Sequence, residues 1–174
     1  MEKVNAINTI LEAFGNAKTH SNTNATRFTQ ILSLDYDHCG TIASASVQVR
    51  GKLSLLASHK NKTIYFQMIL LEKNRVGRRS GSNDHTFHVL ERLIIGAEGT
   101  LRRELSFDAI TNDMINLFMN FTANSEMRHK SVAEFAKLVQ AFAILNVTDA
   151  SVRAIWHILG AIIHLGYAGV AEGT

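Results

Sequence analysis

The sequence predicts an α+β fold in which an antiparallel strand pair is flanked and followed by helices. Three observations carry that prediction. Apolar residues recur at helical spacing before Gly15, alternate with polar residues from Phe28 to Tyr36, and return to helical spacing after residue 80. With 174 residues, 46% of them apolar, the chain is long enough for one domain with its own core.

Val4, Ile7, Ile10, Leu11 and Phe14 form the first helical stripe, and Gly15 is a natural stop. A polar loop follows, Asn22-Thr23-Asn24-Ala25-Thr26-Arg27, set between the helix and a strand. Its groups suit a nucleotide: Asn donates to phosphate oxygens, a Thr hydroxyl ligates Mg²⁺, and Arg forms bidentate ion pairs. A hydrophilic connector that only caps and turns has the same composition.

Phe28, Leu32, Leu34 and Tyr36 alternate with Thr29, Ser33 and Asp35, with Ile31 as the exception. That pattern predicts one strand with a wet or partner-facing side. Asp37-His38-Cys39-Gly40 makes the turn, and Ile42 to Gln48 returns as the second strand.

Further on, Phe87, Leu90, Leu93 and Ile94 line one helix face. Ser131-Val132-Ala133-Glu134 reads as a capping box that opens a helix bearing Phe135, Leu138, Val139, Phe142 and Leu145. Thr148 or Ser151 caps a last helix carrying Val152, Ile155, Trp156, Leu159 and Ile163, expected to end at Gly166. No proline interrupts these helices. Trp156, Phe135 and Phe142 are expected in the core.

Composition narrows the function classes. The net charge is +3 and the pI about 9.2, but the basic residues are scattered without interleaved aromatics. The densest group, Lys73, Arg75, Arg78 and Arg79, lies in a Gly/Ser-rich stretch and reads as a solvated loop, so no nucleic-acid partner is expected. Apolar runs are too short for a membrane span, and the N-terminus lacks a signal peptide's pattern. A single Cys39 cannot form an internal disulfide, which fits a reducing compartment. His85 with His88, and His157 with His164, lack Cys or carboxylate partners at ligand spacing, so zinc is not expected.

Two short patterns mislead. Gly15-Asn16-Ala17-Lys18-Thr19 ends like a phosphate-binding loop but has Glu12 and Ala17 where that motif needs glycine. Asp37-His38-Cys39-Gly40 spells D-x-x-G, yet sits at a two-strand turn.

The segment from Ile10 to Phe28 resembles the switch I region of the myosin motor domain, which runs L-E-A-F-G-N-A-K-T, a short gap, then N-x-N-S-S-R-F. Ile42 to Gln48 looks like the next strand of that sheet, and Leu70-Leu71-Glu72-Lys73-Asn74-Arg75-Val76 is similar to L-L-E-K-S-R-V. Trp156 to Gly166 resembles the I-L-A-A-I-L-H-L-G helix. These four motifs in order cover nearly the whole chain. The wording from Asn24 to Asp35 resembles class XVIII myosins more closely than conventional ones.

The resemblance implies an incomplete domain: a strand pair from the mixed, P-loop NTPase-like motor sheet, then helices of the upper part of the head. It implies ATP with Mg²⁺ as ligand in the full-length parent. Asn22 and Asn24 would lie along the phosphates, the Thr26 hydroxyl would ligate Mg²⁺, and Arg27 would pair with a switch II glutamate. Asn16, Lys18 and Thr19 would support the loop, and no catalytic residue is assigned in this chain. Where the family has its first switch serine this chain has Ala25, so weak or absent hydrolysis is expected. Partners implied are actin filaments and the remainder of the heavy chain, with a coiled coil in the parent and a cytoplasmic, cytoskeletal setting. The 174 residues lack the phosphate cradle and switch II, so no activity is expected from them alone. Strands taken from a larger sheet leave unpaired edges, which predicts poor solubility or partial folding in isolation. Two other readings stand beside this one: a non-enzymatic head that tethers actin, and a small basic helical binding module.

Residues 49–67 interrupt the family pattern, and without them Gln48 joins Met68 in the family's register. A Val codon begins GT, a Gln codon can be CAG, and Tyr-Phe can encode a pyrimidine run. The segment is therefore read as an in-frame retained intron, or else as a surface insertion of the kind loops tolerate.

Overall fold

Helix α1, Glu2–Gly15, forms where the sequence predicts, but its buried residues are small ones. Ala6, Ala13 and Gly15 are buried, Ile10 and Phe14 pack at the edge of the core, and Val4 is 55% exposed. Small side chains let this helix lie close to its neighbours, so the large ones flank the contact instead of filling it. The computed structural model describes residues 2–29, 31–48, 69–71, 75–76, 85–111 and 125–171. Residues 49–67, the interrupting segment, lie outside them, as do Arg78 and Arg79. The described chain is mostly helical with short antiparallel strand pairs, in keeping with an α+β fold.

The chain divides into two units, Met1–Thr26 with Asn74–Thr174, and Arg27–Lys73. In the first, α1 is followed by two two-residue strands, β1 (Asn16–Ala17) and β2 (Ala25–Thr26), paired antiparallel as Asn16 with Thr26 and Ala17 with Ala25. A further antiparallel bridge joins Ala17 to Phe87.

Helix α2 is His88–Gly96, and its predicted stripe of Phe87, Leu90, Leu93 and Ile94 is buried throughout. Short helix α3, Gly99–Glu104, and a 3₁₀ turn, Phe107–Ala109, follow. Arg102 clasps this region: its guanidinium donates to the carbonyls of Ile94 (3.0 Å) and Phe107 (3.2 Å) and meets Asp108 at 3.2 Å. Charge-assisted bonds of this kind satisfy carbonyls that the helix ends leave open.

Helix α4 spans Ser125–Ile144 and α5 spans Asp149–Ala171. Phe135, Leu138 and Phe142 of α4 are buried as predicted, whereas Val139 is 42% exposed. The capping box is a correction. Ser131 lies inside α4, six residues after its start, and its hydroxyl donates to Glu91 Oε1 of α2 at 3.1 Å. Thr148 is the cap of α5, its Oγ1 accepting from the Ser151 N–H at 3.3 Å. Gly166 does not end α5, which continues to Ala171. Glycine lowers helix propensity without forbidding helix, and here the helix runs on.

Trp156, Leu159 and Ile163 bring α5 onto the core that α2, α4 and Phe107 share. Two glycines permit close approaches. A Cβ on Gly96 would fall 2.5 Å from Phe135 Cβ, and one on Gly160 would fall 3.0 Å from Leu105 Cδ2.

In the second unit the predicted strand from Phe28 to Tyr36 is two strands with different partners. Strand β3 (Phe28–Thr29) pairs with β6 (Ile69–Leu70), and β4 (Ile31–Tyr36) pairs with β5 (Ile42–Gln48). The β4–β5 register shifts between Asp35 and Tyr36, beside the turn. Asp37 builds that turn: its carboxylate accepts from the Cys39 N–H (2.8 Å), the Thr41 N–H (2.9 Å) and the Thr41 hydroxyl. Those bonds, the Thr41 hydroxyl first, hold its carboxyl below the usual range. Gly40 supplies the positive φ of 78° that closes the turn. The D-x-x-G pattern is thus a hairpin turn.

Candidate functional site

The polar loop is fixed by its own side chains. Asn22 Oδ1 accepts from the Asn24 N–H at 2.8 Å, an Asx turn. The Thr19 N–H and hydroxyl both donate to the Asn22 carbonyl, at 2.8 and 3.2 Å, and the Asn22 N–H donates to Thr19 Oγ1. Thr19 therefore supports the loop, as the resemblance implies. The side chains of Asn22, Thr23, Asn24 and Thr26 are exposed, and Ala25 is half-buried.

Asn24 is tied down from behind. Its Oδ1 accepts from Asn16 Nδ2 at 3.0 Å and lies 3.2 Å from His88 Nε2. An amide oxygen only accepts, so the His88 tautomer that completes this contact carries its proton on Nε2. Burial, then the positive charges of Arg92, His85 and Lys130, lower the His88 pKa to about 4. The ring is accordingly neutral at pH 7. Asn16 is buried, and its Oδ1 lacks a hydrogen-bond partner among the described residues.

Arg27 begins the second unit and is half-buried. Its carbonyl accepts from the Leu71 N–H at 2.8 Å, which anchors its backbone to the strand piece that follows residue 68.

A cavity of about 340 Å³ lies behind the loop, lined by Thr23, Asn24, His88 and residues of α1, α2 and α4. Its acids, Glu12, Glu91 and Glu134, balance Lys18, Arg92 and Lys130. Arg92 meets Glu134 at 3.5 Å and Lys137 meets it at 2.7 Å, and the Lys137 bond holds the Glu134 carboxyl below its usual range. Burial raises Glu91, against the Ser131 hydrogen bond. So balanced a lining does not select a polyphosphate. Asn22 and Thr26 lie outside that lining and are exposed.

The donor set there fits one wall of a Mg²⁺–nucleotide site. Thr26 offers a hydroxyl of the type that ligates Mg²⁺, and Asn22 and Asn24 offer amides. Among the described residues no group of three His, Cys, Asp or Glu side chains is placed to hold a metal. The histidine pairs have other contacts: His164 Nε2 lies 2.8 Å from the Leu105 carbonyl, and His157 lies 4.0 Å from Glu104. Trp156 packs between Phe135 and Phe142, a core position.

The sequence profile described as "Myosin head (motor domain)" matches residues 1–173. The chain belongs to the myosin head family. It is 37% identical over 172 residues to mouse "Unconventional myosin-XVIIIa", covering 99% of this chain and 7% of that protein. It is 31% identical to human "Unconventional myosin-XVIIIb", over 99% of this chain and 6% of that one. It is 33% identical over 161 residues to "Myosin-2 heavy chain, non muscle" of Acanthamoeba castellanii, 91% of this chain and 9% of that protein. The chain thus spans under a tenth of the length of these myosins. No described helix is long and apolar enough to cross a membrane.

His88 is a member of the site that the sequence does not reveal. Its one signal there is the spacing to His85, which suggests metal, whereas its partner is Asn24, sixty-four residues earlier.

Proposed function

We propose that this chain is the switch I part of a myosin head, facing Mg²⁺–ATP that the rest of the heavy chain grips. In this reading Thr26 supplies a hydroxyl ligand to Mg²⁺, and Asn22 with the amide end of Asn24 lines the phosphates. Arg27 closes the pocket by pairing with a switch II carboxylate. What supports it most is one combination: a family match along the chain, and a loop whose backbone is held while Asn22 and Thr26 stay exposed. Residues 1–48 would form helix, switch and hairpin, and residues 68–174 the helices of the upper head. The parent would act on actin filaments in the cytoskeleton.

When bound, the nucleotide supplies the phosphoryl bond that is broken; this chain's residues position and neutralise charge. Ala25 removes a hydroxyl from the loop, which favours a second reading, a head that tethers actin while turning over ATP slowly or not at all. In a head made from the whole heavy chain, Thr26→Ala should weaken Mg²⁺-dependent binding of a fluorescent ATP analogue at least tenfold. Unchanged binding would remove Thr26 from the site. Ala25→Ser should raise phosphate release if the missing hydroxyl limits hydrolysis; no change would place the limit elsewhere.

A further inference from the structure

The strands that begin at Phe28 and at Ile31 pair with two pieces of chain far apart in sequence. Ile31 to Asp35 pair with Gln48 to Ser44, and the partner numbers sum to 79 (31 with 48, 35 with 44). Phe28 and Thr29 pair with Leu70 and Ile69, and those numbers sum to 98 (28 with 70, 29 with 69). Along one uninterrupted antiparallel ladder this sum is constant, because one number rises as the other falls. Here it steps by 19, the difference between 98 and 79. Residues 49–67 are 19 in number.

Two backbone bonds at the ends fit a single edge. Alternate residues of a strand send their backbone groups to the same side. The Arg27 carbonyl accepts from the Leu71 N–H, and the Asp37 N–H donates to the Thr41 carbonyl at 2.9 Å. Arg27 and Asp37 are an even number of residues apart, the parity expected if one edge meets both pieces.

We infer that Ile42–Gln48 and Ile69–Leu71 are two halves of a single β-strand, split by a register-neutral insertion at 49–67. On this inference the pairing at Ile69 and Leu70 has the register it would have had without the segment, so strand pairing is the same with or without it. The inference rests on backbone register and is independent of the nucleotide reading. The second half of the strand has a structural role of its own, because Leu71 holds the backbone of Arg27.

The test is a deletion series in the full 174-residue chain, removing residues 49–67, 49–66 or 49–68. Amide exchange at Leu71 reads the pairing. The 19-residue deletion should keep that amide protected to within about threefold and leave the melting temperature equal or higher, since a shorter loop costs less closure entropy. The 18- and 20-residue deletions slip the register by one, which exchanges the two faces of the strand, and should lose at least tenfold protection. Loss in the 19-residue deletion, or equal protection in all three, overturns the inference. A second measurement needs no deletion. With Cys39→Ser in the background, the pair Thr29→Cys and Ile69→Cys should oxidise to a disulfide faster than Thr29→Cys with Leu70→Cys. The reverse order, or equal rates, also overturns it.

Discussion

His88 Nε2 lies 3.2 Å from Asn24 Oδ1, and through this contact helix α2 holds the polar loop in place. Asn16 reaches the same oxygen from the end of α1, so two elements converge on one loop side chain.

That contact has a pH signature. The His88 pKa is lowered to about 4 from a model-peptide value near 6.5. A histidine with a depressed folded-state value binds its proton more readily when unfolded. Its contribution is therefore fully present above pH 6.5 and is lost as pH falls from there through about 4. For a half-buried ring, screening reduces the effect to roughly 2 kcal/mol. Glu91, raised by burial, has the opposite slope, so the comparison needs a variant. His88→Gln keeps a donor for Asn24 without titrating. The expected result is a smaller loss of urea midpoint between pH 7 and pH 4.5 in His88→Gln than in the parent; parallel losses would contradict it.

The Ser131 hydroxyl donates to half-buried Glu91, and its removal should matter most where Glu91 is charged. Glu91 has its folded pKa raised, so its stabilising protonated form prevails below the usual value of 4.5, and that contribution is lost as pH rises through the folded pKa. Ser131→Ala withdraws the bond that favours the charged form. It should cost about 1–2 kcal/mol at pH 7, with the gap closing near pH 4. Denaturant titrations at the two pH values decide, and a gap that is constant with pH counts against this account.

How much of the fold is legible in the sequence follows from where each residue's partner lies. The stripe of Phe87, Leu90, Leu93 and Ile94 is readable because one helix face meets one core, and all four are buried. Ser131 misleads because S-x-x-E satisfies a local rule, while the hydroxyl answers to Glu91, forty residues earlier. The strand from Phe28 to Tyr36 changes partner part-way, and periodicity says nothing about partners. The loop's chemistry is visible in its residue types, but its likeness to a nucleotide sensor comes from family motifs. Asn24 and His88, joined across the fold, cannot be paired from spacing.

Gly96 ends α2 against Phe135, and any side chain there collides. Its Cβ would sit 2.5 Å from Phe135 Cβ and 2.7 Å from Cγ. Gly96→Ala should therefore lose about 1–3 kcal/mol despite alanine's better helix propensity. Because the nearest atom is a Cβ, Phe135→Leu in the same chain should not restore stability. A double variant more stable than Gly96→Ala alone would show that the ring, and not the backbone approach, sets the cost.

Trp156 joins α5 to α4: its ring centroid lies 5.2 Å from Phe135 and 5.7 Å from Phe142, the latter nearly edge-on at 79°. It is 3% exposed and is the one tryptophan of the sequence. Offset and edge-on rings add to the area they bury, so truncation to alanine should cost about 3–5 kcal/mol, and Trp156→Phe much less. Far-ultraviolet dichroism during urea unfolding measures both. In the parent chain the indole emission should shift to longer wavelength at the urea concentration where helix is lost, since the ring sits between the two long helices. An emission change well before the helix signal would mean that α5 separates from α4 while both remain helical.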